Sequence, residues 1–333
     1  MGRIPRTGGK VAKMERYSDI RDFDGSRGSA AAVGVFDGFH LGHAKIIETL
    51  RAESRRLGVR SCVLTFRTHP RGVVTDDSPA LVTSFEHRLV LLERAGVDAV
   101  VGVDFTADLA AMTARDFIER VARDGLGARA LVVGHDASFG ASREADASGI
   151  REIASEAHIQ ATVVGPVLVD GEPVSSTRVR ERILKGDLPG AERLLGRRVS
   201  VLGRVVTGRG IGRTLGFPTA NLDVHHEVRP PHGVYATWAI FEDMGGERLA
   251  SVTNVGFSPT FVEEGAPEGE PERRIEVHLL DAPPGDLLGR VIEAEFVKGL
   301  REERRFASDA ELSAQIARDA AEARAILGGG DSA

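Results

Sequence analysis

Features that mark several specialised protein classes are scarce or absent in this chain of 333 residues. Its single cysteine, Cys62, cannot form a disulfide within the chain, which excludes a disulfide-stapled secreted scaffold. No apolar run approaches the roughly 18 residues that a membrane-spanning helix needs. The formal net charge of -6 leaves no polybasic surface of the kind that binds nucleic acid. We therefore expect a cytoplasmic protein that has neither a membrane nor a nucleic-acid partner.

The composition that remains is that of a globular protein. Hydrophobic residues make up 42% and charged residues 28% of the chain, which suffices for well-packed cores. The length predicts two domains of ordinary size. The basic N-terminal stretch lacks an apolar core, so no secretory signal peptide is predicted there.

The first half of the chain alternates apolar runs with helical patterns. The runs are nearly continuous in Val, Leu and Ala, which is typical of strands covered on both faces. Between them, Phe85, Leu89 and Leu92 recur with helical spacing before Gly96. This alternation predicts a doubly wound parallel α/β sheet with ligands at the carboxyl ends of its strands. The predicted strands lie at 30–36, 62–66, 99–105, 130–134 and 161–167.

The pattern changes after a connector at 187–198 that is punctuated by Gly and Pro. Beyond it, strand-like segments follow one another without a clear helix between them, which predicts an antiparallel sheet or small barrel. A last amphipathic helix is predicted from Asp309, as its N-cap, to about Leu327. We accordingly expect a first domain over 14–186 and a second over 199–328.

The stretch GVFDGFHLGH places two histidines at the first junction of a predicted strand with a predicted helix. Backbone N–H groups and the helix dipole favour phosphate at such a junction. His40 and His43 can add donors to phosphoryl oxygens whose charge grows in a transition state. Gly34 and Gly42 would let the backbone come close to a ligand. The string therefore predicts a phosphate-handling site.

This string resembles the HxGH signature of the nucleotidylyltransferase superfamily. With TFRTHPRGVV (65–74), FTADLAAMTARDFI (105–118) and VSSTRVR (174–180), it resembles the first module of bacterial bifunctional riboflavin kinase/FAD synthetases. The resemblance continues over roughly residues 14 to 327. It implies a Rossmann-like nucleotidylyltransferase domain followed by a mainly β riboflavin kinase domain, a small antiparallel barrel with a C-terminal helix.

For the first domain the resemblance implies adenylyl transfer, in which the FMN phosphate attacks the α-phosphorus of ATP and releases pyrophosphate. Such a site needs donors rather than a general base, because the attacking phosphate is already anionic. His40 and His43 are the expected catalytic donors. The other expected ATP and phosphate contacts are Gly34, Phe36, Asp37, Gly42, Ser176, Thr177 and Arg180. The expected flavin contacts of this domain are Phe66, Asp136 and Phe139.

One string departs from the family pattern. Where the family has a sequence close to DFRFG, this chain has DASFG, so that Ala137 and Ser138 replace an aromatic and a polar or basic residue. Asp136, Phe139 and Gly140 remain. The departure keeps an alternative open, in which the adenylyltransferase is weakened or lost and only the kinase works.

The second domain contains VVTGRGIGRTLGFPTANLDV, which is rich in glycine but is not a P-loop because no Gly-Lys-Ser/Thr follows. The segment resembles the PTAN motif of riboflavin kinases. The resemblance implies that Thr219 and Asn221 bind the Mg²⁺ of MgATP, and hydroxyl and amide oxygens suit that cation. It also implies that a glycine loop covers the phosphates, through Gly208, Gly210 and Gly216.

A kinase step needs a base, because its nucleophile is the neutral 5′-hydroxyl of riboflavin. In RRIEVHLLD the resemblance assigns that role to Glu276, and in LREERRF it makes Arg301 a flavin contact. We therefore expect an enzyme that makes FMN from riboflavin and FAD from FMN, as a monomer or weak homo-oligomer. A non-catalytic flavin-binding regulator is the second alternative.

Overall fold

The computed structural model describes residues 13–68, 80–207, 219–224, 227–257, 273–281, 285–304 and 306–329. As far as it describes the chain, there are two compact units. The first takes residues 1–179 and 193–197, and the second takes 180–192 and 198–333. The domain limits expected from the sequence, 14–186 and 199–328, stay a prediction. No helix in the described ranges is long and apolar enough to cross a membrane.

A six-stranded sheet forms the centre of the first unit in the part of the chain that the structure describes. Its strands are β1 (Glu15–Tyr17), β2 (Ser29–Val33), β3 (Arg60–Phe66), β4 (Ala99–Val103), β5 (Ala128–Gly134) and β6 (Gln160–Val164). They lie in the order β1-β4-β3-β2-β5-β6, and neighbouring strands are parallel. The predicted parallel α/β sheet is thus confirmed. The edge strand β1 was not predicted.

Helices cover both faces of this sheet, as the near-continuous apolar strands predicted. The helical segments are α1 (Leu41–Leu57), α2 (Phe85–Arg94), α3 (Ala107–Ala111), α4 (Ala114–Asp116), a π-helix (Phe117–Gly125) and α5 (Ala147–Glu156). Successive strand residues point to opposite faces. Ala30 and Ala32 of β2 pack in one core with Leu50 of α1, and Ala31 packs in another with Ile118 of the π-helix.

A two-stranded hairpin and two helices follow the sheet. They are β7 (Leu168–Val169), β8 (Glu172–Pro173), α6 (Ser176–Leu184) and α7 (Leu188–Leu195). Helix α7 lies within the predicted connector, where Gly and Pro had indicated irregular chain. Pro189 is tolerated because the first helical turn needs no N–H donor from it. The Asp187 carboxylate accepts a hydrogen bond from the Gly190 N–H at 2.9 Å and so stabilises the same turn.

The second unit contains a closed antiparallel barrel. Its described strands are β9 (Ser200–Val206), β10 (Thr219–Asp223), β11 (Gly233–Phe241), β12 (Glu247–Phe257), β13 (Arg273–Leu279) and β14 (Val291–Arg301). The order around the barrel is β10-β13-β12-β11-β14-β9, closed by the pairing of β9 with β10. This confirms the predicted small barrel.

The predicted C-terminal helix, α8 (Asp309–Gly328), packs against the outside of the barrel. Ala320, Ala323 and Leu327 of the helix form a buried cluster with Val234 and Val252 of β11 and β12. The predicted N-cap was wrong by one residue. The cap is Ser308, whose hydroxyl accepts from the Glu311 N–H, and Asp309 stands in the first turn, where its charge suits the helix dipole.

Candidate active sites

His40 ends the turn between β2 and α1 and caps the helix. Its Nδ1 accepts a hydrogen bond from the His43 N–H at 3.4 Å, so the proton of its neutral ring lies on Nε2. The His40 and His43 rings stack with their centroids 3.7 Å apart. Gly42 leaves room for this pair, because a Cβ there would lie 3.0 Å from the His40 ring. The two histidines therefore act as one unit at the helix N-terminus.

Both imidazoles are neutral at neutral pH. Desolvation lowers the pKa of His40 to about 4, although the negative charge of Asp136 opposes the shift. The pKa of His43 is also lowered, first by desolvation and then by its electrostatic interactions with His40 and Arg88. The His43 Nδ1 is buried and has no hydrogen-bond partner among the described residues. The pair thus offers neutral N–H donors beside the positive end of a helix dipole.

The sheet order brings the ends of three neighbouring strands, β3, β2 and β5, to this point. Phe66 ends β3 and is buried, with its ring edge-on to Phe105 at a centroid distance of 5.2 Å. Asp136 follows β5 and is exposed. Phe139 packs against Phe117 of the π-helix, with centroids 4.8 Å apart. Of the expected flavin contacts, Asp136 is close enough to His40 to affect its pKa, and Phe66 stands at the end of β3, the strand next to β2.

Asp37 and Ser176 join the turn to other segments. The Asp37 carboxylate is buried and accepts hydrogen bonds from the backbone N–H groups of Val82 at 2.8 Å and Thr83 at 3.0 Å. The Ser176 hydroxyl donates to the Asp37 carbonyl oxygen at 2.9 Å. The expected phosphate contacts at these two positions thus carry structural hydrogen bonds, which fix the backbone in front of His40.

Two more expected phosphate residues lie on helix α6. Thr177 is exposed at the start of the helix, next to Ser176. Arg180 is half-buried one turn later and falls in the second compact unit. The first turn of α6 is supported by Ser175, whose hydroxyl accepts from the Arg178 N–H at 3.4 Å.

Arg88 is a residue of this site that sequence reasoning missed. It is fully buried, and its guanidinium donates to the carbonyl oxygens of Val35 at 2.5 Å and Phe66 at 2.9 Å. It therefore ties the chain after β2 to the end of β3, beside His43. Helical spacing places position 88 on the same face as Phe85 and Leu92, but an arginine is expected at the surface, so the sequence did not single it out as buried.

Next to the string DASFG, the structure places a basic side chain that the departure from the family pattern did not predict. The Arg143 Nε donates to the Ser138 hydroxyl at 2.7 Å. Backbone pairing between Phe139 and Ala145 closes the loop and brings Arg143 back to Ser138. A cation therefore stands beside position 138 although the residue itself is neutral.

In the second unit, Asn221 and Glu276 are direct partners on the neighbouring strands β10 and β13. Thr219 lies two residues before Asn221 and is paired with His278. Side chains two apart on a strand share a face, so all four project from the same side of the sheet. The intervening Ala220 and Val277 are buried on the other side. The structure thus brings the expected metal ligands and the expected base together.

Glu276 has a second cross-strand partner, Asn254 of β12. The Oδ1 atoms of Asn221 and Asn254 are both buried, and neither has a hydrogen-bond partner among the described residues. Two amide oxygens therefore flank one carboxylate in a row across three strands. Buried acceptors without donors are costly unless a ligand satisfies them, and oxygens of this kind suit a hard cation such as Mg²⁺.

Arg301 lines a cavity of 640 Å³ at the end of β14, together with His232, Tyr235 and Glu303. Its guanidinium is held by Asp319 of α8, with Nη2 2.8 Å from Oδ2.

Glu303 connects the cavity to the Glu276 row. A Cβ on Gly256 would lie 2.5 Å from the Glu303 Oε1 and 3.2 Å from the Asn254 Nδ2. The cavity is therefore adjacent to the row of Asn254 and Glu276. The expected glycine-loop residues Gly208, Gly210 and Gly216 lie outside the described residues.

Comparison with known proteins agrees with this division. A family described as FAD synthetase matches residues 23–178, and one described as riboflavin kinase matches residues 195–327. A bifunctional riboflavin kinase/FMN adenylyltransferase of Escherichia coli (strain K12) is 38% identical over 302 residues, which cover 90% of this chain and 93% of that protein. One from Bacillus subtilis (strain 168) is 33% identical over 299 residues, covering 89% and 91%.

A crystal structure from Streptococcus pneumoniae, described as a macrolide-efflux protein, is similar over nearly the whole length. The TM-score is 0.76 at 27% sequence identity, with 93% of this chain and 98% of that chain covered. The resemblance found in the sequence is therefore confirmed by whole-length relatives. The chain belongs to the family of bifunctional riboflavin kinases/FMN adenylyltransferases.

Proposed function

We propose that this chain phosphorylates riboflavin to FMN and then adenylylates FMN to FAD, using ATP in both steps. The observation that carries the proposal is that each compact unit has its own site for phosphoryl chemistry. The first has the neutral His40 and His43 pair at a helix N-terminus. The second has Glu276 between two buried amide oxygens.

In the kinase step the 5′-hydroxyl of riboflavin attacks the γ-phosphorus of ATP, and ADP leaves. The alcohol must lose its proton, and Glu276 is the proposed acceptor. The cavity beside Arg301 has a volume of 640 Å³, within the usual range for small-molecule sites, and is the proposed place of the flavin ring. Asp319 then fixes Arg301 at the cavity wall through its ion pair.

Thr219 and Asn221 are the proposed ligands of Mg²⁺ in this unit. The unpartnered Asn221 Oδ1 fits the role, because it is an oxygen acceptor with no donor among the described residues. A bound Mg²⁺ would neutralise charge on the phosphate oxygens of ATP. Gly208, Gly210 and Gly216 are proposed to cover the same phosphates.

Replacing the metal ligands tests this assignment. Thr219→Ala and Asn221→Ala are expected to raise the Mg²⁺ concentration needed for half-maximal FMN formation and to raise the KM for ATP. FAD formation from supplied FMN should be unaffected. The measurement is a Mg²⁺ titration of both half-reactions, with Thr237→Ser, a buried hydroxyl elsewhere in the barrel, as the control. Parent-like Mg²⁺ titrations in both variants would remove these residues from the metal site.

In the adenylyl step the FMN phosphate attacks the α-phosphorus of ATP, and pyrophosphate leaves. No base is needed, and the His40 Nε2–H and the His43 ring are the proposed donors to the α-phosphoryl oxygens. The backbone from Gly34 to Gly42, including Phe36 and Asp37, is proposed to contact ATP. Pyrophosphate is proposed to leave along Ser176, Thr177 and Arg180. Phe66, Asp136 and Phe139 are the proposed flavin contacts.

The alternative of a weakened adenylyltransferase depends on the string DASFG. Arg143 supplies a cation beside Ser138, which favours a working site. The missing aromatic at Ala137 remains, and Ala137 lies partly buried beside the same core as Phe139.

Restoring the aromatic tests whether this position limits flavin binding. Ala137→Phe is expected to tighten FMN binding several-fold, since an aromatic pair adds about 0.5–1.5 kcal/mol beyond area burial. Arg143→Gln should weaken binding in the same assay. The measurement is a titration of FMN fluorescence with ATP and Mg²⁺ present. Unchanged or weaker binding in Ala137→Phe would mean that DASFG is a local repacking with no cost in affinity.

The two half-reactions test the function separately. Riboflavin with MgATP should give FMN and ADP, and supplied FMN with MgATP should give FAD and pyrophosphate. FMN formation without FAD formation would favour the kinase-only alternative, and flavin binding without either product would favour a regulator.

We further propose that the protein works in the cytoplasm as a monomer or weak homo-oligomer without a nucleic-acid partner. The buried free thiol of Cys62 is compatible with a reducing compartment.

A further inference from the structure

The turn that leads to His40 has an unusual backbone. Phe36 and Phe39 have positive φ values of 54° and 43°, and Gly38 between them has a φ of 76°. Residues other than glycine rarely adopt positive φ values, so such a turn persists only when contacts with the surrounding structure hold it in place. The backbone in front of the histidine pair therefore depends on contacts from elsewhere in the chain.

Three separate segments supply those contacts. Val82 and Thr83 donate backbone N–H groups to the Asp37 carboxylate, and the Thr83 hydroxyl accepts from the Gly38 N–H at 2.8 Å. The Ser176 hydroxyl donates to the Asp37 carbonyl oxygen. The third segment contributes a charge. The Arg197 Nη2 donates to the Gly38 carbonyl oxygen at 3.0 Å.

The position of Arg197 in the chain makes this contact unexpected. Sequence analysis placed it in the connector, and the match to the FAD synthetase family ends at residue 178. Residues 193–197 nevertheless belong to the first compact unit. Gly196 packs on the start of α1, because a Cβ there would lie 2.5 Å from a Leu41 methyl group. The segment therefore touches the chain on both sides of His40, at Gly38 and at Leu41.

We propose that Arg197 is a positioning residue of the adenylyl-transfer site. Its guanidinium holds the Gly38 carbonyl, and the turn so fixed aims the His40 and His43 rings at the phosphate position. A charge-assisted hydrogen bond is stronger than a neutral one, which suits a strained turn. The inference rests on the proposed adenylyl transfer and extends it to a residue that lies outside the FAD synthetase match and inside the riboflavin kinase match.

The neighbouring arginine offers a matched control. Arg198 belongs to the second unit, where its Nη1 lies 3.5 Å from the Glu295 carboxylate. Glu295 keeps a second partner, Arg248, when Arg198 is replaced. Arg197→Met and Arg198→Met thus remove the same side chain one position apart.

Full-length variants test the proposal in three readouts. Arg197→Met should lower the kcat of FAD formation roughly 10- to 100-fold, because a small misplacement of catalytic groups has effects of this size. The KM values for FMN and ATP should stay within about twofold, since the donors act mainly in the transition state. The ring ¹⁵N signals of His40 and His43 should shift. Arg197→Lys should retain most activity, and Arg198→Met should match the parent in all three readouts.

The outcomes separate this inference from the proposed function. Parent-like FAD formation and unshifted histidine signals in Arg197→Met would overturn it, and so would an equal loss in Arg198→Met. If the parent itself makes no FAD, the proposed function fails, but histidine signals that shift in Arg197→Met alone still support positioning. If Arg197→Met does not fold, Arg197→Gln replaces it. Activity kept by Lys and lost by Gln supports the proposal, and equal activity contradicts it.

Discussion

Glu276→Gln is expected to reduce FMN formation from riboflavin by roughly 10²- to 10⁴-fold, the usual contribution of a general base. The amide has nearly the shape of the carboxylate but cannot accept the proton of the 5′-hydroxyl. The fold around it should be retained, because Glu276 is only half-buried while Ile275 and Val277 are buried on the opposite face of β13. The measurement is the rate of ADP release with riboflavin as acceptor, checked by chromatography of the flavins.

Two comparisons make the Glu276 result specific. Glu247→Gln changes an exposed glutamate at the start of β12, on the same barrel, and should leave the rate unchanged. FAD formation from supplied FMN should persist in Glu276→Gln, since that step belongs to the other unit and needs no base. A Glu276→Gln kinase that works at nearly the parental rate would exclude this residue as the base.

His43→Ala is expected to lower the kcat for FAD formation from FMN by roughly 10²- to 10³-fold, the cost of removing one donor from a developing oxyanion. FMN binding should change little, because the donor matters mainly in the transition state. The loss of His43 also removes the stacking partner of His40, whose ring centroid lies 3.7 Å away. Single-turnover formation of FAD, with FMN binding measured separately, distinguishes the chemical effect from an affinity effect.

A histidine elsewhere in the first unit provides the control for this change. His158 is exposed and has a φ of 59°, so His158→Asn keeps a residue that tolerates this backbone region. It should form FAD at the parental rate. FMN formation from riboflavin should stay normal in both variants. If His43→Ala forms FAD as fast as His158→Asn, the histidine pair is structural and the adenylyl site lies elsewhere.

The sheet and the barrel were predictable because their strands carry strong patterns. The runs of Val, Leu and Ala at β2 to β6 are long enough to indicate strands covered on both faces. The edge strand β1 has the sequence Glu-Arg-Tyr, which is too short and polar for that criterion. It forms because its backbone pairs with β4, a contact more than 80 residues away in sequence. Helix α7 was missed because Pro and Gly stand in its first turn, where Asp187 compensates.

The catalytic candidates were predictable, but the contacts that hold them were not. His40 and His43 follow a strand signal directly, so their place at a sheet edge could be deduced from the sequence. Asp37 was expected to contact phosphate, yet its carboxylate accepts a hydrogen bond from the backbone N–H of Val82, 45 residues further along the chain. Arg88 and Arg197 donate hydrogen bonds to backbone carbonyl oxygens that are 53 and 159 residues away in the sequence. No local pattern carries such information, because any carbonyl group can accept these bonds.

The central claim is that one chain carries riboflavin through FMN to FAD, and a time course tests it most directly. Purified protein is incubated with riboflavin, ATP and Mg²⁺, and the flavins are separated by chromatography while ADP and pyrophosphate are counted. The account predicts that FMN rises first and then declines as FAD accumulates, with one ADP per riboflavin consumed and one pyrophosphate per FAD formed. Accumulation of FMN without FAD or pyrophosphate, or the persistence of riboflavin, would contradict it.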